Sequence, residues 1–269
     1  MAIDAAPKSF VYTHPAPDLP GVHCLALNRP TARNALSVAM VRELAEALDS
    51  IASNRGVHAL IVYSPHSAFC AGADLRERAS MSPNEVRDFL DMLNETIASL
   101  EALDIPTIAA IDGPALGGGL EMAFACDFRV VGRDVTKMGL PECTLGIIPG
   151  AGGTQRAPRL LGRTRAKELI FTGRMVDARE AKEIGLVDYV ANEGQTAYEC
   201  ALELAGRMSR SAPLALRAAK RAIGLSESLS LAEGLRAERA CYEPLLSTRD
   251  RREALSAFGE KRPARFVGM

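Results

Sequence analysis

The sequence predicts an α/β fold with largely parallel sheets, followed by a helical carboxy-terminal region. Through the first half, short β-rich runs alternate with helical patterns, and parallel strands need helix-length crossovers of this kind. From Thr196 onward the pattern is almost wholly helical. No Ser/Gly-rich linker separates the halves, so residues 1–195 read as one core and residues 196–269 as a helical region packed on it.

Taken in order, Val22 to Leu27 and His58 to Tyr63 read as strands, and Thr107 to Ile111 and Asp127 to Val131 as two more. Between the first pair, Val41, Leu44, Ala45, Leu48 and Ile51 recur at helical spacing, as Val86, Phe89, Leu90, Leu93, Ile97 and Leu100 do between the second and third strands. The second of these helices has a marked start: Ser82 as cap, Pro83 in the first turn and Glu85 three residues on. Asp177 and Glu180 repeat the capping-box spacing before Ala181 to Ile184, and Leu186 to Val190 gives one more short strand. The later helices, rich in Ala, Leu, Arg and Glu, break near Pro213, Gly224 and Pro244.

Composition excludes more than it selects. Of 269 residues, 48% are apolar, enough for a sizeable core, and 24% are charged, as in ordinary soluble domains. A net charge of -1 provides no global attraction to nucleic acid or anionic membrane. The six cysteines (Cys24, Cys70, Cys126, Cys143, Cys200 and Cys241) form no CxxC pair. His14, His23, His58 and His66 show no HExxH spacing. No metal is expected, and the thiols read as reduced and intracellular. No apolar run reaches the roughly 20 residues that span a bilayer. The opening MAIDAAPKSF has no basic-then-apolar signal, and Asp4 speaks against a mitochondrial presequence.

Three segments have a composition that folding alone does not require. Phe69 to Leu75 (FCAGADL) follows the second strand, and Gly113 to Glu121 (GPALGGGLE) leads from the third strand into a helix. Leu140-Pro141-Glu142 precedes a second glycine-rich turn, Gly146 to Thr154. Consecutive glycines before a helix expose amides at the positive end of its dipole, which suits an anion. No Lys-Ser or Lys-Thr follows either run and no GxGxxG follows the first strand, so phosphate-loop and dinucleotide sites are unsupported. The glycines alone fit equally well a tight turn with close helix packing.

Glu121 and Glu142 shift that balance. Glu121 begins the otherwise apolar run LEMAFAC, and Glu142 sits among Met138, Leu140, Pro141, Cys143, Leu145, Ile147 and Ile148. A buried carboxylate is costly or changes its pKa. Backbone donors, or an arginine such as Arg129, could satisfy Glu121 as a structural group. Two such carboxylates, each beside a glycine-rich turn, point instead to paired acid–base chemistry.

Together AGAD, GGGLE and GIIPGAGGTQR, in this order and spacing, resemble the motifs of the crotonase (enoyl-CoA hydratase/isomerase) superfamily. The likeness runs from Leu27-Asn28-Arg29-Pro30 to Phe258-Gly259-Glu260-Lys261-Arg262. It implies a spiral of ββα units whose helical carboxy-terminal region buries apolar faces in trimers or hexamers. It also implies an acyl-CoA substrate, with coenzyme A part of the substrate and no separate cofactor. By position, Ala73 and Gly118 would supply two oxyanion-hole amides and Glu121 and Glu142 the acid–base pair. Gly150 would help place the water. Ala71, Asp74 and Leu75 would line the coenzyme A loop, and Lys261 would contact coenzyme A, often that of an adjacent subunit. Bearing both glutamates favours hydration over the isomerases, which generally keep fewer such groups.

AKELIFTGR and the FGEKRPARFVG tail look most like the methylglutaconyl-CoA hydratase branch, but no residue in the sequence identifies itself as partner for that substrate's distal carboxylate. Some members of that branch bind RNA through a lysine-studded helix. The matching helix here has no lysine and carries Glu43, Glu46 and Asp49, so nucleic acid is not an expected partner. The expected setting is the cytoplasm in a bacterium or the mitochondrial matrix in a eukaryote.

Overall fold

Continuous apolar runs make strands that are buried on both faces, and such strands form the centre of this protein. The computed structural model describes residues 9–269, and the first eight residues, most of the stretch inspected above for targeting signals, lie outside the described residues. In chain order the strands are β1 (Val11–Pro15), β2 (Val22–Leu27), β3 (Ala59–Tyr63), β4 (Thr107–Ile111), β5 (Ala115–Leu116), β6 (Phe128–Val131), β7 (Met138–Gly139) and β8 (Tyr189–Val190). Six of them form one sheet in the order β1-β2-β3-β4-β6-β8, parallel except for the antiparallel β1–β2 pair.

The helices are α1 (Val38–Ser53), α2 (Leu75–Ala79), α3 (Pro83–Glu101), α4 (Gly118–Phe124), α5 (Gly153–Leu161), α6 (Arg163–Thr172) and α7 (Ala178–Ile184). They continue as α8 (Ala197–Met208), α9 (Pro213–Leu225), α10 (Leu231–Tyr242) and α11 (Arg249–Gly259). On one face of the sheet, Leu25, Leu27, Leu60 and Val62 join the apolar stripes of α1 and α3 in a single core. On the other, Cys24, Ile61, Ile108 and Val130 meet Ala197, Ala201 and Leu204 of α8. Small alanines let α8 lie close, and the Asp112 carboxylate just after β4 accepts from its first two amides, Ala197 N (2.6 Å) and Tyr198 N (3.1 Å).

A second ladder, made of rungs only one or two residues long, turns the ββα repeat into a spiral. Leu36 bridges Ala73, Cys70 bridges Ala115, β5 pairs in parallel with β7, and Met138 bridges Val176. Each pass through the main sheet is therefore followed by a short second strand before the chain enters its helix. Such rungs carry no periodicity, and the sequence does not reveal β5 or β7. The edge strand β1 is likewise unforeseen; Glu43 of α1 secures its start by accepting from Phe10 N (2.6 Å) and Val11 N (3.0 Å).

The capping box at Ser82 and Glu85 forms in full. At α7 only half of the expected box forms. Asp177 accepts from Glu180 N, but the Glu180 carboxylate pairs with Arg174 at 2.7 Å instead of reaching back.

Candidate active site

The second ladder stacks the three unusual segments on adjacent rungs and so brings them to one place. Leu36 N donates to Gly72 O (2.7 Å) and Asp74 N donates to Leu36 O (3.2 Å). In a parallel bridge the intervening N–H points the other way, so Ala73 N faces away from Leu36. On the next rung, Leu116 N donates to Cys70 O (3.0 Å) and Gly117 N to Gly139 O (3.0 Å). The chain then turns into α4 with Gly118 as the first helical residue, where an amide has no acceptor within the helix. Neither Ala73 N nor Gly118 N donates to a protein acceptor among the described residues.

Two glycines are required by this geometry. Gly72 has φ +85, and a β-carbon there would lie 2.7 Å from Leu116 O and 3.4 Å from Gly118 N. Gly117 has φ +48, and its β-carbon would meet a Glu142 carboxylate oxygen at 2.7 Å. Gly119 packs directly on Cys70. The glycine run thus serves close packing and at the same time turns the α4 N-terminus toward the space between the two rungs, so the packing reading does not exclude the other.

Glu121 lies in the first turn of α4, 2% exposed, and Glu142 in a short 3-10 helix (Pro141–Leu145), 8% exposed. Glu121 Oε1 accepts from Ala151 N (2.9 Å) and Gly153 N (2.6 Å), both in the second glycine-rich turn. Backbone donors therefore hold Glu121, whereas Arg129 is turned elsewhere, to Asp188 (2.6 Å) and Cys126 O (2.8 Å). Arg156 steadies the same turn: it donates to Ala151 O (3.1 Å) and pairs through two nitrogens with Glu101. Burial pushes the Glu121 carboxyl up to about 7, helped by the Glu142 charge and opposed by the two amides and Arg156. Burial raises Glu142 as well, and its Oε2 is buried with no hydrogen-bond partner.

Both glutamates, Ala73 and Gly118 line one cavity of about 690 Å³. Ala71, Leu75 and Gly150 line it too; Leu75 is exposed at its edge, and the Gly150 carbonyl is held by Asn94 Nδ2 (2.7 Å). Most of the remaining wall is apolar: Val86, Leu90, Leu93, Leu116, Pro141, Leu145, Ile147 and Ile148. Asp74 does not line it. Its carboxylate caps α2, accepting from Arg76 N and Glu77 N, and pairs with Arg29 at 2.7 Å. Arg29 also donates to Ala35 O (2.8 Å), and Asn34 ties the same strap to Ala68 O and Phe69 O (both 3.0 Å). The Asn-Arg-Pro segment thereby fixes the loop that presents Ala73. Lys261 lies outside the cavity of its own chain. Arg78, on α2, does line it and has no mark in the sequence, where RERA reads as any polar helix.

Among the described residues, no group of three or more His, Cys, Asp or Glu is placed to hold a metal ion, and no helix is long and apolar enough to cross a membrane. All six cysteines are free.

A spiral of ββα units thus presents two unpaired amides and two buried glutamates to one apolar cavity, an arrangement suited to stabilising a developing oxyanion beside acid–base groups. The family described as enoyl-CoA hydratase/isomerase matches residues 19–269, and the chain belongs to this family, within the crotonase superfamily. An enoyl-CoA isomerase/hydratase of Mycosarcoma maydis is 50% identical, over 97% of this chain and 98% of that one. The mitochondrial methylglutaconyl-CoA hydratase of Mus musculus is 48% identical, over 92% of this chain and 80% of its own length. Among solved structures, an enoyl-CoA hydratase from Bacillus anthracis superposes with a TM-score of 0.93 at 44% identity, covering 97% of this chain and all of that one.

Proposed function

We propose that this enzyme reversibly adds water across the double bond of a 2-enoyl-CoA thioester. The single observation that carries this reading is the pair Glu121 and Glu142, both buried, both with raised pKa, on the wall that also holds two unpaired amides. Addition of water at Cβ moves negative charge onto the thioester oxygen, where Ala73 N and Gly118 N stabilise it; one such donor is worth about 3 kcal/mol in other enzymes. Burial raises both carboxyls, and the Glu142 charge raises Glu121 further, which favours a proton on one member of the pair. Glu121, oriented by Ala151 N and Gly153 N through Oε1, polarises the water, and Glu142 carries the proton to or from the reacting carbons. Gly150 lies beside the water's place. An isomerase needs to move only one proton along the substrate, and two carboxylates favour hydration over it.

Glu142→Gln should lower kcat for crotonyl-CoA hydration by about a hundredfold or more, with KM changed only a few-fold. Turnover close to wild type would remove Glu142 from the mechanism. Metabolically, such chemistry belongs to fatty-acid or branched-chain amino-acid breakdown.

The same reading includes a homo-oligomer, a trimer or a dimer of trimers, in which Lys261 reaches a neighbour's coenzyme A. Support comes from apolar side chains that one chain leaves in water: Ile223 of α9, Leu231 and Leu235 of α10, Leu255 and Phe258 of α11.

A further inference from the structure

The turn that holds Glu121 rests along one face of α3, the face of Leu90, Asn94 and Glu101. A β-carbon on Gly150 would lie 2.9 Å from Leu90 Cδ2, so turn and helix are in close contact there. One helical turn on, Asn94 Nδ2 donates to Gly150 O at 2.7 Å and to Leu90 O at 2.8 Å. Two carbonyls facing one side-chain nitrogen fix how the Asn94 amide is turned, and both its protons are used. At the end of α3, Glu101 takes Arg156, which reaches back to Ala151 O. Gly150 O belongs to the same peptide unit as Ala151 N, and Ala151 N donates to Glu121 Oε1 at 2.9 Å. A continuous chain therefore runs from Asn94 through one peptide unit to the carboxylate, and hydrogen bonds in such a chain polarise one another. The second amide on Glu121 is supported within α5. Gly152 O, in the peptide unit of Gly153 N, accepts from Gln155 N and Arg156 N, both at 2.9 Å. Asparagine is also a poor helix former, yet Asn94 stands exposed in the middle of a 19-residue helix, where leucine would favour the helix more.

We propose that Asn94 is a positioning residue for hydration: it holds and polarises the Gly150–Ala151 peptide so that the Ala151 amide keeps the Glu121 carboxylate aimed at the water. This rests on the hydration reading given above. The same contact fixes Gly150 on the cavity wall. A hydrogen bond to a carboxylate favours its charged form. Without Asn94 the Ala151 amide is held less firmly, and Glu121 takes up a proton more readily. The charged groups around Glu121 stay as they are: Glu142 of the 3-10 helix, which raises its pKa, and Arg156 of α5, which lowers it. Arg78 of α2 lines the same cavity and is likewise unchanged. Since ionised Glu121 polarises the water, the acid limb of the rate profile moves to higher pH when Asn94 is lost.

The test measures crotonyl-CoA hydration against pH for wild type, Asn94→Leu and Asn94→Gln, with melting temperatures alongside. Asn94→Leu keeps the size and suits the helix, so it should melt close to wild type. Its kcat should fall about three- to tenfold with KM little changed, the effect of one lost hydrogen bond. Its acid limb should move up by about half a pH unit. Asn94→Gln, which keeps a donor on a longer arm, should recover part of both. An unchanged or lowered limb in Asn94→Leu overturns the proposal, whether kcat holds or falls together with stability. If the wild type does not hydrate crotonyl-CoA, the hydration reading fails separately. The Glu121 carboxyl, assigned by infrared difference against Glu121→Gln, is then titrated in the resting proteins. An upward shift in Asn94→Leu still supports the hold of Asn94 on Glu121, and no shift overturns it.

Discussion

Burying Glu121 costs the fold free energy. An exposed glutamate titrates at 4.5, and in the folded protein burial moves this one to about 7. Between those values the folded state binds more protons than the unfolded one, so stability falls as pH rises through the window. The full cost, about 3 kcal/mol, is present above it and vanishes below it. Glu121→Gln keeps an oxygen for Ala151 N and Gly153 N while removing the charge. We expect this variant to melt higher than wild type at pH 8 and to lose that advantage toward pH 5, while hydration collapses. Equal melting temperatures across the range would contradict the raised pKa.

At the scale of elements, the site depends on how tightly two rungs of the short ladder lie together. Gly72→Ala forces a β-carbon against Leu116 O and a positive φ on a side-chain-bearing residue. This should destabilise the protein by about 1–3 kcal/mol in a denaturant titration. It should also lower kcat/KM for hydration by about a hundredfold as the Ala73 and Gly118 amides part. A variant destabilised but fully active would show that the spacing of those amides is unimportant. This closeness also explains what could be read in advance. The long strands and α1 and α3 were legible because burial imposes runs and periodicity on them. The two-residue strands β5 and β7 impose neither. Glu121 and Glu142 were legible because a carboxylate in an apolar run is chemically conspicuous. Ala73 and Gly118 offer the cavity backbone amides rather than side-chain chemistry, and are visible only as family motifs. Arg78 resembles any surface arginine until the ring of Phe89, eleven positions on, is seen beneath it.

Over the whole molecule, the apolar surface is unevenly distributed. Phe258 is 87% exposed and Leu231 80%, and both belong to the carboxy-terminal helices. Light scattering on the eluting protein should report a trimer or a hexamer. The double variant Leu231→Glu, Phe258→Glu should shift the mass toward the monomer. A monomeric wild type at micromolar concentration would refute the assembly.

The unpaired amides of Ala73 and Gly118 have a consequence on a different clock. Both sit at the ends of hydrogen-bonded rungs yet have no acceptor of their own. Deuterium should therefore enter at these two positions faster than at Leu36, Leu116 or Gly117, whose protons are held by the ladder. A non-reactive saturated acyl-CoA that fills the oxyanion position should slow them selectively. Isotope uptake at two backbone nitrogens would then report occupancy of the site in the absence of any reaction.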